Sequence, residues 1–192
     1  RPYQTVDGLR AADIVLSNVQ VSADQLLGAE GQAFEALETV LDEATLALCA
    51  EAVGAMEVLY KTTVDYCKTR KQFGMPIGKF QVLQFRMVDM FMSHEQSKSM
   101  IYMAALRALE GREAARKAIS ACKVYIGKAG RHVGQEAIQL HGGMGMTDEL
   151  NVGYYFKRLT AIDALLGNVD YHLERYSHLD RYGRCPESTV AA

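Results

Sequence analysis

From Gln32 onward the apolar residues recur at spacings of three and four. Phe34, Leu37, Val40, Leu41, Ala44, Leu48, Ala52 and Ala55 form one stripe, and the pattern runs on to about Lys71. That period predicts a long amphipathic helix. A second helix is predicted from near Phe80, after Gly74, Pro76 and Gly78. It carries Val82, Leu83, Met87, Met90, Phe91, Met100, Ile101, Met103, Ala104 and Leu106, and stops at Gly111. A third runs from about Arg112 to Gln139, where Ala114, Ala118, Ala121, Cys122, Tyr125 and Ala129 suit close packing. Two shorter helices are predicted over 148–159 and 169–181. Before Gln32 the pattern changes. The stretch from Ala12 to Val21 is rich in β-branched residues and partly alternates, which predicts one or two short strands. No later segment offers those strands a partner, and an isolated hairpin is marginal in water.

Short loops between long helices place neighbours antiparallel. The expected fold class is therefore all-α: an up-down four-helix bundle with short extra helices, preceded by the terminal strands of a truncated β domain. The expected boundaries are 1–31 for the β segment, 32–182 for the bundle and 183–192 for a flexible polar tail. The chain has 192 residues and only three prolines, at Pro2, Pro76 and Pro186, which permits uninterrupted helices. The nine methionines mostly fall at helical spacing and read as core filler. The first residue is Arg1, which suggests a fragment or a processed chain.

A net charge of −2 argues against a nucleic-acid footprint. No apolar run is long enough for a membrane span, and no signal peptide is visible. Cys49, Cys67, Cys122 and Cys185 form no CxxC pair, which speaks against zinc and against a disulfide framework. No metal site is expected, and reduced thiols suggest a cytoplasmic protein. The five histidines make no HExxH motif. His94, His132, His172 and His178 read as surface or packing residues.

Two interhelical loops combine glycine with polar or basic side chains. One runs from Arg70 through Gln72, Phe73, Gly74 and Lys79 to Gln81. The other runs from Gln139 through His141, Gly142 and Gly143 to Met146. A basic residue beside a backbone loop can hold a phosphate, glycine admits close approach of a ligand, and an amide both donates and accepts. Each loop alone reads equally as a turn with a helix-dipole partner. Gly142–Gly145 follows no strand and so is no Rossmann fingerprint. His141-Gly142-Gly143 lacks the G-x-S-x-G of an esterase.

Taken together, Arg70-Lys71-Gln72-Phe73-Gly74 with Lys79-Phe80-Gln81, then Gln139 through Gly145, then Tyr154 to Arg158 resemble the carboxyl-terminal half of the acyl-CoA dehydrogenases in order and spacing. Asn18–Val21 and Leu27–Gly31 resemble the family's exit from its middle β domain. The resemblance covers about 12–182. It implies FAD as cofactor, an acyl-CoA substrate, and a homo- or hetero-oligomer, a dimer or tetramer, formed through the bundle. It implies that Arg70 and Gln72 contact the FAD diphosphate region with Phe73 and Gln81 beside it. Gln139, Gly142 and Gly143 would line the adenine side.

The family reaction is α,β-dehydrogenation, in which a glutamate takes the α-proton while hydride passes to the flavin. The resemblance puts Leu166 at the usual base position, and leucine has no lone pair. The following flavin contact, usually threonine, is Asn168. A minority of the family carries the base on the first long helix, and that position is Ala44 here. Glu43 is its neighbour, but one residue is about 100° of helical rotation. Asp42 matches a family position near the acyl chain. Without the resemblance, Asp42 and Glu43 read as a solvated helix face. The Leu166-Gly167-Asn168 run is further similar to the small subunits of pimeloyl-CoA-type dehydrogenases. Two functional readings follow: a dehydrogenase subunit with an altered site, or a non-catalytic subunit that completes a partner's flavin site.

Overall fold

The computed structural model describes residues 1–182; the expected tail, 183–192, lies outside the described residues. Five helices carry the fold: α1 (Ala33–Thr69), α2 (Gln81–Ala108), α3 (Arg112–His141), α4 (Val152–Ala164) and α5 (Val169–Tyr182). Two hairpins accompany them, β1 (Pro2–Gln4) with β2 (Arg10–Ala12) and β3 (Lys71–Gln72) with β4 (Met75–Pro76). The all-α class and the order of helices agree with the sequence pattern. Helix α3 is central and packs against α1, α2, α4 and α5. Its close approaches use glycine. A Cβ at Gly130 would sit 3.3 Å from Leu159, and one at Gly134 would sit 2.9 Å from the Phe156 ring.

Helices α1, α3 and α4 each end for a local reason. Arg70 is extended, and Phe73 (φ 56) and Gly74 (φ 80) are both left-handed. Positive φ at both central residues makes the type I′ turn that closes a two-residue hairpin, so this loop is a β-hairpin. Gly142, at φ 58, stops α3. The chain then makes a 3₁₀ turn, Gly142–Met146. Leu166 (φ 55) and Gly167 (φ 93) break the chain between α4 and α5. Asn168 caps α5, its Oδ1 accepting from the Tyr171 amide at 3.0 Å.

The structure corrects three expectations. The strands of this segment lie at Pro2–Gln4 and Arg10–Ala12, and no strand forms between Ala12 and the start of α1. Ile14, Val15, Leu16, Val19 and Val21 are exposed, because a segment with no partner cannot close a ladder of hydrogen bonds. The apolar stripe of α1 is buried only in part. Phe34, Leu37, Val40 and Leu41 are exposed, whereas Cys49, Ala52, Met56, Leu59 and Cys67 enter the core. The start of α1 meets α3 and α5 through Glu38 and Asp42, which pair with Arg112, Arg116 and Arg175, so its apolar stripe keeps its period without being covered. Among the methionines, Met56 and Met90 are core residues, but Met75, Met92 and Met146 are exposed.

Candidate functional site

The polar groups that matter sit where helices end. Among the described residues Lys123 is the largest fully buried side chain, and only 1% of it is exposed. Its ammonium donates to the carbonyls of Ile162 (2.5 Å), Asp163 (3.1 Å) and Leu165 (2.9 Å). Those are carbonyls that a helix C-terminus leaves unpaired, at its negative end. Desolvation pushes the Lys123 pKa down, and the three carbonyls take the place of water around the ammonium. His172, 2% exposed, donates from Nε2 to the Leu166 carbonyl at 2.9 Å. The loop carrying Leu166 is thus held from inside on two sides.

Around that loop lies a cavity of about 240 Å³, lined in part by Leu41, Asp42, Thr45, Leu166 and Tyr171. Asp42 is 7% exposed and is not the solvated helix residue its polarity suggests. It forms a bidentate pair with the buried Arg175, at 2.7 Å and 2.9 Å. Arg175 also donates to Ser120 Oγ at 3.1 Å and lies 3.5 Å from Glu38. Glu38 in turn receives Arg112 at 2.9 Å, and it pairs with Arg116. Glu43 is exposed and does not line this cavity, and Ala44 is half-buried outside it. Leu166 and Asp42, far apart in sequence, are therefore brought together, while Glu43 points elsewhere by helical geometry.

A second concavity, of about 440 Å³, joins the two glycine-bearing loops. Arg70 and Gln72 from the β3–β4 hairpin face Gln139, Gly142 and Gly143 across it, with Tyr66 and His141 between. Arg70 and Gln139 are exposed. Among the described residues Arg70 has no carboxylate partner. A Cβ at Gly142 or Gly143 would meet nothing within 4 Å, so the backbone there is open to a ligand. His141 is a residue whose role the sequence left unassigned. It is 3% exposed and stacks on Tyr66 with centroids 4.3 Å apart. Its Nδ1 bonds the Ala137 carbonyl at 2.8 Å, which places the proton on Nδ1. Its Nε2 is buried without a partner. Burial pushes its pKa down, so Nε2 is an acceptor awaiting a donor. Burial, which spacing does not reveal, sets it apart from His132 and His178 but not from His94 and His172.

Three expected cofactor contacts lie apart from this concavity. Phe73 projects into solvent, 88% exposed, edge-on to Phe80 with centroids 6.0 Å apart. Gln81 opens α2 and does not line the concavity. Asn168 lines a separate cleft of about 380 Å³ with Lys128, Arg131 and Asp163.

Residues 25–177 match the acyl-CoA dehydrogenase, C-terminal domain. The short-chain specific acyl-CoA dehydrogenase of Megasphaera elsdenii is 34% identical over 145 residues, 76% of this chain and 38% of the relative. Among solved structures, PigA with FAD and proline superposes with a TM-score of 0.80 at 29% identity, over 84% of this chain and 42% of PigA. The butyryl-CoA dehydrogenase of Megasphaera elsdenii gives a TM-score of 0.84 at 26% identity, over 92% of this chain and 46% of that enzyme. The chain thus spans less than half the length of the relatives it matches. Helix order, packing and the extent of the match agree: the chain belongs to the acyl-CoA dehydrogenase family and corresponds to its C-terminal domain.

Proposed function

We propose that this chain is part of an FAD-dependent acyl-CoA dehydrogenase that acts on an acyl-CoA thioester and whose usual glutamate base is replaced by Leu166. The observation that carries the reading is the concavity between the β3–β4 hairpin and the Gly142 turn. Its donor set suits a dinucleotide. The exposed Arg70 guanidinium meets a diphosphate, and the Gln72 and Gln139 amides serve as donors or acceptors. The orphaned Nε2 of His141 suits a ribose hydroxyl or an adenine amino group. Phe73, Gln81 and Asn168 belong to the wider cofactor surface in this reading. Residues 1–31 belong with the family's middle β domain, and 32–182 form the bundle.

Bound FAD supplies the hydride acceptor of an α,β-dehydrogenation. The chain's own residues hold the cofactor, shape the acyl pocket and fix the loop at Leu166. What they lack is a free base. Leu166 has no lone pair, Asp42 is locked to Arg175, and Glu43 faces away. That favours a second reading, a non-catalytic subunit lending Arg70 and Gln139 to a partner's flavin, as in the small subunits of pimeloyl-CoA-type dehydrogenases. The exposed apolar residues of α2, among them Val82, Phe85, Val88 and Phe91, suit an oligomer formed through the bundle.

The test is expression of the full protein alone and with its genomic neighbour, followed by flavin absorbance and turnover of acyl-CoA thioesters. Absence of FAD and of turnover from both preparations rejects the reading. Turnover only by the pair, unchanged by Asp42→Ala and Glu43→Ala, selects the non-catalytic subunit. A gain of turnover in Leu166→Glu with flavin retained selects a vacated site.

A further inference from the structure

The wall of the Leu166 cavity is polar where a plain alkyl chain would want it apolar. Asp42, Arg175, Glu38, His172 and Thr45 all line it. The hydrogen-bond inventory of that wall is lopsided. Nη1 of Arg175 serves Asp42 and Ser120, and Nη2 serves Asp42 and faces Glu38. The Nε2 proton of His172 goes to the Leu166 carbonyl, and Nδ1 faces Ser120 Oγ at 3.5 Å. Thr45 donates its hydroxyl proton to the Leu41 carbonyl at 2.7 Å. These side-chain donors are therefore engaged within the protein.

Acceptors are left over. A carboxylate offers about four lone-pair sites, and Asp42 spends two of them on Arg175. Thr45 Oγ1 keeps its lone pairs. Tyr171, at the exposed mouth, can act either way. The Coulombic account is balanced. The buried carboxylates of Glu38 and Asp42 face the guanidinium groups of Arg112, Arg116 and Arg175, and the exposed Glu35 lies 3.3 Å from Arg112. A carboxylate entering this cavity would find the Arg175 Nη, His172 and Thr45 donors engaged and two acidic neighbours. A donor would find lone pairs ready.

We propose that this cavity selects an acyl group whose inserted end carries a hydrogen-bond donor, a hydroxyl or an amine, received by Asp42 with Arg175 holding that carboxylate in place. The assignment rests on the reading of the Leu166 cavity as the acyl pocket. Asp42 is then a specificity-determining residue, and Arg175 a positioning residue that acts through it. A site built to pair a substrate polar group discriminates strongly against an analogue lacking that group, because its own buried groups are left unpaired.

The test is calorimetric binding to the full FAD-loaded protein, with any subunit that co-purifies, of four thioesters of one length. They are hexanoyl-CoA, 6-hydroxyhexanoyl-CoA, 6-aminohexanoyl-CoA and adipoyl-CoA. Expected is binding at least ten-fold tighter for the hydroxy or the amino ligand than for hexanoyl-CoA, with adipoyl-CoA weakest. The two donor arms separate a neutral from a cationic donor. In Asp42→Leu/Arg175→Met, which removes the pair without stranding either charge, the order should collapse. The wild-type series decides the matter even if that variant does not fold. Equal or tighter binding of hexanoyl-CoA overturns the specificity alone. Tightest binding of adipoyl-CoA overturns it in favour of Arg175 as the ligand-binding group. Retention of FAD with no thioester bound overturns both the specificity and the acyl-CoA reading beneath it.

Discussion

The ammonium of Lys123 lies 2.9 Å from the carbonyl of Leu165 and so holds, from the middle of α3, the loop that presents Leu166 to its cavity. Three carbonyls share that one buried cation. Hydrogen bonds to a charged group contribute about 1.5–3 kcal/mol, and a stranded buried acceptor costs about 1–3 kcal/mol. Lys123→Met should therefore cost about 3 kcal/mol of stability, read as a lower urea midpoint. Little change in the midpoint would mean that water replaces the ammonium.

Gly78 lies where the β3–β4 hairpin meets the last turn of α1. A Cβ there would lie 2.9 Å from the carbonyl oxygen of Cys67, a backbone atom that cannot swing aside. Gly78→Ala should cost about 1–3 kcal/mol and displace the hairpin that carries Arg70. Gly143→Ala is the contrast, because its Cβ meets nothing within 4 Å. It should stay within about 0.5 kcal/mol of wild type. Denaturant melts of the two variants side by side check the pair.

The Asp42–Arg175 pair predicts a non-additive mutant cycle. Removing one partner of a buried pair costs about 3–5 kcal/mol, whereas replacing both by apolar residues is often close to neutral. Arg175→Met alone should be the worst variant, since it strands Asp42 and strips one partner from Glu38. Asp42→Leu/Arg175→Met should recover most of the loss. Additive costs across the cycle would show that the two side chains do not act as a unit.

Burial holds the pKa values of His94, His141 and His172 below their ordinary 6.5. All three are neutral in the fold and become charged first in the unfolded chain. Stability should thus be flat between about pH 7 and 8 and fall as the pH drops through 6.5, each histidine adding at most about 1.4 kcal/mol per pH unit. His94 has both ring nitrogens unpartnered; Glu95 lies 3.2 Å from Nδ1 without hydrogen-bond geometry. His94→Leu should flatten the curve between pH 6.5 and 5 and raise stability at pH 7 by about 1 kcal/mol. Urea melts across that range measure both.

The five helices and their order were legible in the periodicity, because a packed helix repeats its apolar face every three to four residues. The two glycine-bearing loops were legible for a similar reason, since motif order survives without knowledge of packing. The hairpin within the first loop was hidden, because Phe73 is not a residue one expects at positive φ. The start of α1 misled, because periodicity records an apolar face but not what covers it.

What the chain alone determined was local: helix spans and breaks at glycine. Tertiary structure decided which polar residues have partners. Asp42 resembles any helix-surface acid until Arg175, from the other end of the chain, reaches it. Lys123 resembles any helix lysine until α4 ends against it, and His141, buried like His94, differs in its bond to the Ala137 carbonyl and in the concavity it adjoins. Partnership and burial arise between elements distant in sequence, and an amphipathic pattern carries no information about which distant element will arrive.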